Sequence, residues 1–419
     1  MDYPKLRNVN VFPVQMSGKR MICFQDPLNV SDKSLFLPPP LYFVVSLFDG
    51  NHSILDIQAE YMRQFGELLY RDRIEEIIKE MEEACFLEGD RFEEALRKKE
   101  DAFRQASMRE AALAGKSYEK EPDQLVRQIE GYFTHPEGPG LPERKKADGL
   151  LQGVVIPHID YHRGGICYAF GYREIGERSD ASCFVILGTA HVPMRHAFAL
   201  TRKAFATPLG LLETEQELID SLQSRCSYDL FEDEGAHRSE HSIEFQCVFL
   251  QFFNREGKGP RIVPILCGSL HEMIARRISP MEFRPVREFI EALRTTLSSW
   301  QEKICVIASA DLSHVGLQFG DRQGMGEYDL VQLEQEDRDM LRHVESGDGE
   351  GFFSFVAREQ DRRRICGLPA IYTLLQTLGS AEGRLLKYSQ AFTRETQSVV
   401  TFASLGLYRL DSETGSSIP

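Results

Sequence analysis

Apolar positions in the first 91 residues repeat mostly at helical period. Ile54 to Phe65 and Arg71 to Cys85 both show it, and the second carries Ile74, Ile77, Ile78, Met81 and Cys85 as a one-sided stripe among Glu and Lys. A Pro-rich hinge, Leu37-Pro38-Pro39-Pro40, opens onto the apolar stretch LYFVVSLFDG, which Gly50 and Asn51 break. Phe86-Leu87-Glu88-Gly89-Asp90 then reads as a short strand. Helix, turn, helix and short wing predict a small winged-helix-like α+β domain over residues 1–91. From Phe92 to Tyr132 charge and helix formers dominate, as in EEALRKKEDAFRQASMREAALAG, which predicts a solvated helical connector. The loop FTHPEGPGLPERKKADG completes an entry segment over 92–150.

After Gly149 the pattern changes to short β-branched runs: GVVIPH (153–158), CFVILGTAH (183–191), RIVPILCGS (261–269), KICVIASADLSH (303–314) and SVVTFASLGLY (398–408). Their apolar residues are largely continuous rather than alternating, as in strands buried on both faces. Amphipathic helices intervene, Ser242 to Phe252 and Val286 to Trp300 among them. The predicted architecture of 151–419 is α/β, a mostly parallel central sheet flanked by helices.

Composition narrows the function classes. The 419 residues are 42% hydrophobic and 27% charged, the balance of a soluble globular protein, and the length makes two or three domains the expectation. A net charge of −15 argues against a grip on nucleic acid and against a polybasic membrane anchor. The longest apolar run, Leu41 to Phe48, contains Ser46 and falls far short of a membrane span. The opening MDYPKLRNVN lacks the apolar core of a secretion signal. Nine cysteines are scattered singly with no Cys-x-x-Cys, as expected for reduced thiols in a cytoplasmic protein.

Polar clusters end three of the runs: His158-Ile159-Asp160-Tyr161-His162-Arg163-Gly164-Gly165, then Gly188-Thr189-Ala190-His191, then Ser309-Ala310-Asp311-Leu312-Ser313-His314. In open α/β sheets the ligand crevice lies beyond the carboxyl ends of the strands, so these clusters are expected to face one site. A lone histidine after a strand is usually structural. His158 and His191, at matching strand ends with Gly close by, fit ligands of one ion, the glycines allowing the sharp turns. Neutral imidazole suits Zn, Fe or Cu. The segment EDEGAHRSEHSIEFQ adds His237, His241 and Glu244, with His241 and Glu244 on one helix face, although a solvated helix start explains that spacing equally well. Cys366 precedes Gly367 and a helix with Pro369 in its first turn, and the helix N-terminus and adjacent arginines favour thiolate over thiol.

Taken together, these motifs from about Ala102 to Leu410 resemble the Memo family (the B protein of AmmeMemoRadiSam systems), whose fold is similar to class III extradiol dioxygenases. The residues that carry the resemblance are Ile156-Pro157-His158, Gly188-Thr189-Ala190-His191-Val192-Pro193, the acidic Glu232-Asp233-Glu234 before His241-Ser242-Ile243-Glu244, Ser309 with Asp311 and His314, and Ile365-Cys366-Gly367. Upstream, Ala114-Gly115-Lys116-Ser117-Tyr118 matches the family's Ala-Gly-Ser-Trp-Tyr in part. The resemblance implies a non-haem metal site with His158, His191 and Cys366 as ligands, Fe(II) first and Cu or Zn as other ions. It implies His314 as acid/base, with Asp311 and His241 lining the pocket. It also implies a radical-SAM enzyme and an AMMECR-type protein as partners, and a small-molecule or peptide substrate. Asp160 and His162 depart from the family's usual His-Ala-Gly-Tyr. The N-terminal domain has no counterpart in short members and resembles winged-helix domains that hold peptides. Three functions compete: a dioxygenase-like metal redox enzyme, a non-catalytic metal-binding adaptor, and a zinc hydrolase built on His158, Asp160 and His162.

Overall fold

A computed structural model describes residues 2–16, 18–28, 30–31, 33–143, 151–254 and 259–409. The chain divides at Gln105/Ala106 into two compact units. Segment 144–150 of the expected Pro- and Gly-rich loop lies outside the described residues.

In the first unit, β1 (Asn10–Met16), β2 (Lys19–Gln25) and β3 (Leu35–Leu37) form an antiparallel sheet. Helices α1 (Pro39–Ser46), α2 (Ile54–Phe65), α3 (Arg71–Glu83) and α4 (Asp90–Gln105) follow. A Ser53–Asp56 capping box starts α2, and Gly66 ends it in the left-handed conformation. The expected stripe is buried: Ile74, Ile77, Ile78 and Met81 pack with Val44, Val45, Ile57 and the β2 residues Ile22 and Phe24. The wing differs from expectation. Residues 86–90 make only a single bridge, Leu6↔Leu87, because Gly89 turns at φ 147° and Asp90 starts α4. The unit is thus α+β with its sheet before its helices.

The second unit runs through β4 (Met108–Arg109), α5 (Pro122–Thr134), β5 (Leu151–Ile156), α6 (Tyr161–Arg178), β6 (Cys183–Thr189), β7 (Phe198–Leu200), β8 (Ala204–Thr207), β9 (Gly210–Leu212) and α7 (Gln216–Ser224). It continues with α8 (His241–Phe253), β10 (Arg261–Cys267), α9 (His271–Arg276), α10 (Arg284–Ser299), β11 (Ile304–Ser309) and β12 (Asp311–Gly316). It ends with α11 (Glu327–Glu345), α12 (Gly349–Arg358), α13 (Leu368–Leu378), β13 (Ala381–Thr393) and β14 (Ser398–Arg409). The second half of the predicted connector belongs here: Leu125, Ile129 and Phe133, one helical turn apart on α5, are buried with Tyr118 in the core.

The main sheet has the order β12-β14-β5-β11-β6-β10-β7, with β13 also on β14. Only the central block β5-β11-β6-β10 is parallel. The sheet is therefore mixed, where the sequence predicts a mostly parallel one. The run at 398–408 follows β13 through a short turn with no crossover helix, so β14 runs antiparallel to β13 and also to β5. Continuous burial of the parallel strands has a simple basis. Successive residues enter opposite cores, Val185 and Leu187 one and Phe184 and Ile186 the other. No helix among the described residues is long and apolar enough to cross a membrane.

Candidate metal centre

The adjacent strands β5, β11 and β6 point their carboxyl ends the same way, and the loops there bring the histidines together. His158 follows β5, His191 follows β6, and His241 opens α8. Each offers one ligand atom, and the three atoms lie within 4.8 Å of one another. Ring centroids are 5.0 Å apart for His158–His191, 5.3 Å for His158–His241 and 4.5 Å for His191–His241. Gly188 permits the approach of α8: a Cβ there would sit 2.6 Å from Ile243 and 2.7 Å from the Ser242 hydroxyl. Close packing, rather than the sharp turn expected from sequence, is what this glycine provides.

Hydrogen bonds orient each ring. His158 Nδ1 lies 2.9 Å from the Ser309 carbonyl, so Nδ1 carries the proton and Nε2 the lone pair. His191 Nδ1 lies 3.0 Å from Glu240 Oε1, and His241 Nδ1 lies 3.1 Å from the same oxygen. Glu240 also accepts from the backbone N–H groups of His191 and Ser242. Burial alone would raise its pKa, yet the two imidazoles and their hydrogen bonds hold it well below the usual carboxylate range. Burial, then the facing His191 and His241, keeps His158 well below the ordinary imidazole value and hence neutral, the form that binds a metal. These are the committed tautomers of a carboxylate–histidine–metal arrangement. Glu240→Gln should therefore weaken metal affinity ~10–100-fold while leaving the fold intact, as measured by competition with a chelator.

Cys366 is half-buried, with Sγ 3.2 Å from His158 Nε2. That contact is a thiol-to-imidazole hydrogen bond. It is also about the ~3–3.5 Å spacing of a nitrogen and a sulfur held by one metal at ~2.0 and ~2.3 Å. The arginines beside it do not favour its thiolate as the sequence suggests. Arg362 and Arg363 turn to Glu336, Asp337 and Glu359, and Arg364 to Asp321. Burial, then Asp311, instead raises the thiol well above its ordinary value. The loop before it is strained: Gln360, Asp361 and Arg364 hold φ of 54°, 49° and 54°. Fully buried Arg363 anchors it, donating to Asp337 Oδ1 at 2.6 Å and to Glu359 Oε1 at 2.8 Å. Gly367 lets the loop touch β12, since a Cβ would fall 2.4 Å from the Asp311 carbonyl.

Asp311 Oδ1 accepts the N–H groups of His158 and Ile159 at 2.9 and 3.1 Å, fixing the turn that presents His158. Burial raises the Asp311 carboxyl. His314 Nδ1 lies 3.2 Å from the carbonyls of Leu312 and Arg364, which leaves its Nε2 as the basic nitrogen. Burial lowers its pKa, so it rests neutral. His158, His191, His241, Asp311 and His314 all line one cleft of about 410 Å³, together with Leu113, Ser117, Arg163, Phe245 and Val400.

Other candidates go elsewhere. His237 is buried, with Nε2 3.1 Å from the Ala199 carbonyl. Glu244 points away from the cleft, accepting from buried Arg109, from the Tyr118 hydroxyl at 2.5 Å and from the N–H groups of Ala112 and Leu113. Asp160 caps α6 and pairs with Arg163, and His162 is exposed. Among the described residues no group of three metal-competent side chains includes either, so the His158–Asp160–His162 cluster is not assembled. Sequence reasoning missed Glu240, whose only signal is its place at the cap of an apolar helix.

The Memo-like protein family model matches residues 109–406. A MEMO1 family protein of Aquifex aeolicus is 29% identical over 97% of this chain and 100% of its own length. A MEMO1 family protein of Methanopyrus kandleri is 31% identical over 71% of this chain and 98% of its own length. With a family model covering nearly the whole second unit, and its motif residues gathered around one cleft, the chain belongs to the Memo family.

Proposed function

We propose that this chain is a metal-dependent redox protein of the cytoplasm, a dioxygenase-like catalyst that holds Fe(II) and works with a radical-SAM enzyme and an AMMECR-type protein. The observation that carries the reading is the gathering of His158, His191 and His241, their ligand atoms within 4.8 Å of one another, at a cleft that His314 also lines, with Cys366 Sγ 3.2 Å from His158 Nε2. His158, His191 and Cys366 are the ligands in this reading; soft sulfur beside two imidazoles suits iron or copper, and zinc accepts the same set. Iron held there would supply a site at which a chelating substrate can give its electrons to dioxygen, with no outside reductant needed. The protein's own groups do the rest. Asp311 fixes the turn that presents His158, Glu240 orients the rings of His191 and His241, His314 Nε2 takes a proton from the substrate hydroxyl, and His241 lines the substrate side of the cleft. Leu113, Phe245 and Val400 supply an apolar wall that limits water.

Elemental analysis after anaerobic purification tests this. Wild type should carry close to one iron, Cys366→Ser should lose it, and His241→Ala should keep it. Full retention in Cys366→Ser would remove the thiol from the ligand set. With catechol as probe, the iron form should consume oxygen, and His314→Gln should lose that uptake while keeping the iron. An iron form that consumes no oxygen with any catechol would overturn the redox reading.

A further inference from the structure

A second space of about 180 Å³ adjoins the metal cleft, lined by Gln318, Phe319, Ala391, Thr393, Ser398 and Val399. Three residues line both spaces and mark their junction: Arg163, His314 and Val400. Among the described residues Arg163 is the one Lys or Arg lining either chamber. Its Nε donates to Asp160 Oδ2 at 2.5 Å, which fixes the guanidinium on the first turn of α6. Neither terminal amino group has a hydrogen-bond partner among the described residues. The floor at the junction is apolar, with Ile159, Val400 and Phe402 packed against Phe319 and Ala391. The site thus combines metal donors, a small apolar floor and a guanidinium that is held by Asp160 of the same cleft and keeps its terminal donors free.

We propose that Arg163 sets substrate specificity by receiving a carboxylate on the far side of a small, flat metal chelator. The inference rests on the proposed metal site and names the substrate class for it. A planar guanidinium with two free N–H₂ groups matches a carboxylate in bidentate fashion, which a lysine would not do. The pairing with Asp160 engages Nε and lowers the guanidinium's conformational freedom while leaving both terminal amino groups for a ligand. The chelating end of the ligand lies toward the imidazoles, its ring over Val400, and its acidic group at Arg163.

The test is equilibrium binding to the full-length, ferric-loaded protein, read by the catecholate-to-iron absorption band. The probes are catechol and 3,4-dihydroxybenzoate. Wild type should bind the carboxylated probe about tenfold more tightly, a figure reduced from that of a buried pair because Arg163 is half exposed. In Arg163→Gln the two affinities should come within about twofold, with catechol itself little changed, and Arg163→Lys should fall between. Added salt should shrink the wild-type preference. Equal affinities in wild type, or a preference that survives in Arg163→Gln, would overturn the assignment of Arg163 while leaving the metal site standing. Iron that binds with no catechol band from either probe would overturn the metal reading and this inference with it.

Discussion

Glu244→Ala is expected to destabilise the α/β unit by about 3–5 kcal/mol, the cost of leaving a buried charge without its partner. Arg109 is fully buried, and Glu244 is its carboxylate partner. Its other acceptors are the neutral carbonyls of Glu110, His237 and Glu240. The same substitution strips the N–H groups of Ala112 and Leu113 and the Tyr118 hydroxyl of their acceptor. Because Leu113 and Ser117 line the metal cleft, the damage should reach the site as well as the core. Calorimetry should show the second unit's transition moving down in temperature. Glu244→Gln, which keeps an acceptor but not the charge, should lose less. A melting profile unchanged in Glu244→Ala would mean that Arg109 is neutralised in some other way.

His158→Ala should bring bound metal to background, with affinity down by at least ~100-fold, beyond the loss expected for an outer-shell partner. His158 is central on three counts. Its ring is within ligand distance of His191 and His241, its Nε2 meets Cys366 Sγ, and its backbone is pinned by Asp311. Metal titration followed by dialysis, with circular dichroism to confirm folding, measures the loss. Undiminished stoichiometric metal in this variant would place the ion outside the histidine cluster.

The strands of the α/β unit were readable because each is a continuous apolar run that fills two cores at once. Three of the runs end in the polar residues of the cleft, so His158, His191, Asp311 and His314 could be picked out before any geometry was known. Less legible were features that depend on partners far away in the chain. Nothing local shows that β14 turns back antiparallel, or that Arg362, Arg363 and Arg364 face carboxylates rather than Cys366. Glu240 and Glu244 are both acidic residues flanking His241, yet one orients imidazoles and the other neutralises Arg109. Their roles separate only once α8 is seated against β6. The N-terminal unit shows the same limit, since its helical stripe is plain but the sheet preceding it is made of mixed, half-exposed residues.

The position of β5 sets the order of events at the ribosome. One neighbour, β11, begins at Ile304, and the other, β14, is the last strand among the described residues. His158 leaves the exit tunnel long before Ser309 and Asp311, the residues that fix its ring and its turn, and both lie more than 150 residues downstream. Contacts so distant in sequence form late and slowly. A nascent chain therefore carries the first histidine unoriented until the segment holding Ser309 and Asp311 has been made and has packed beside it.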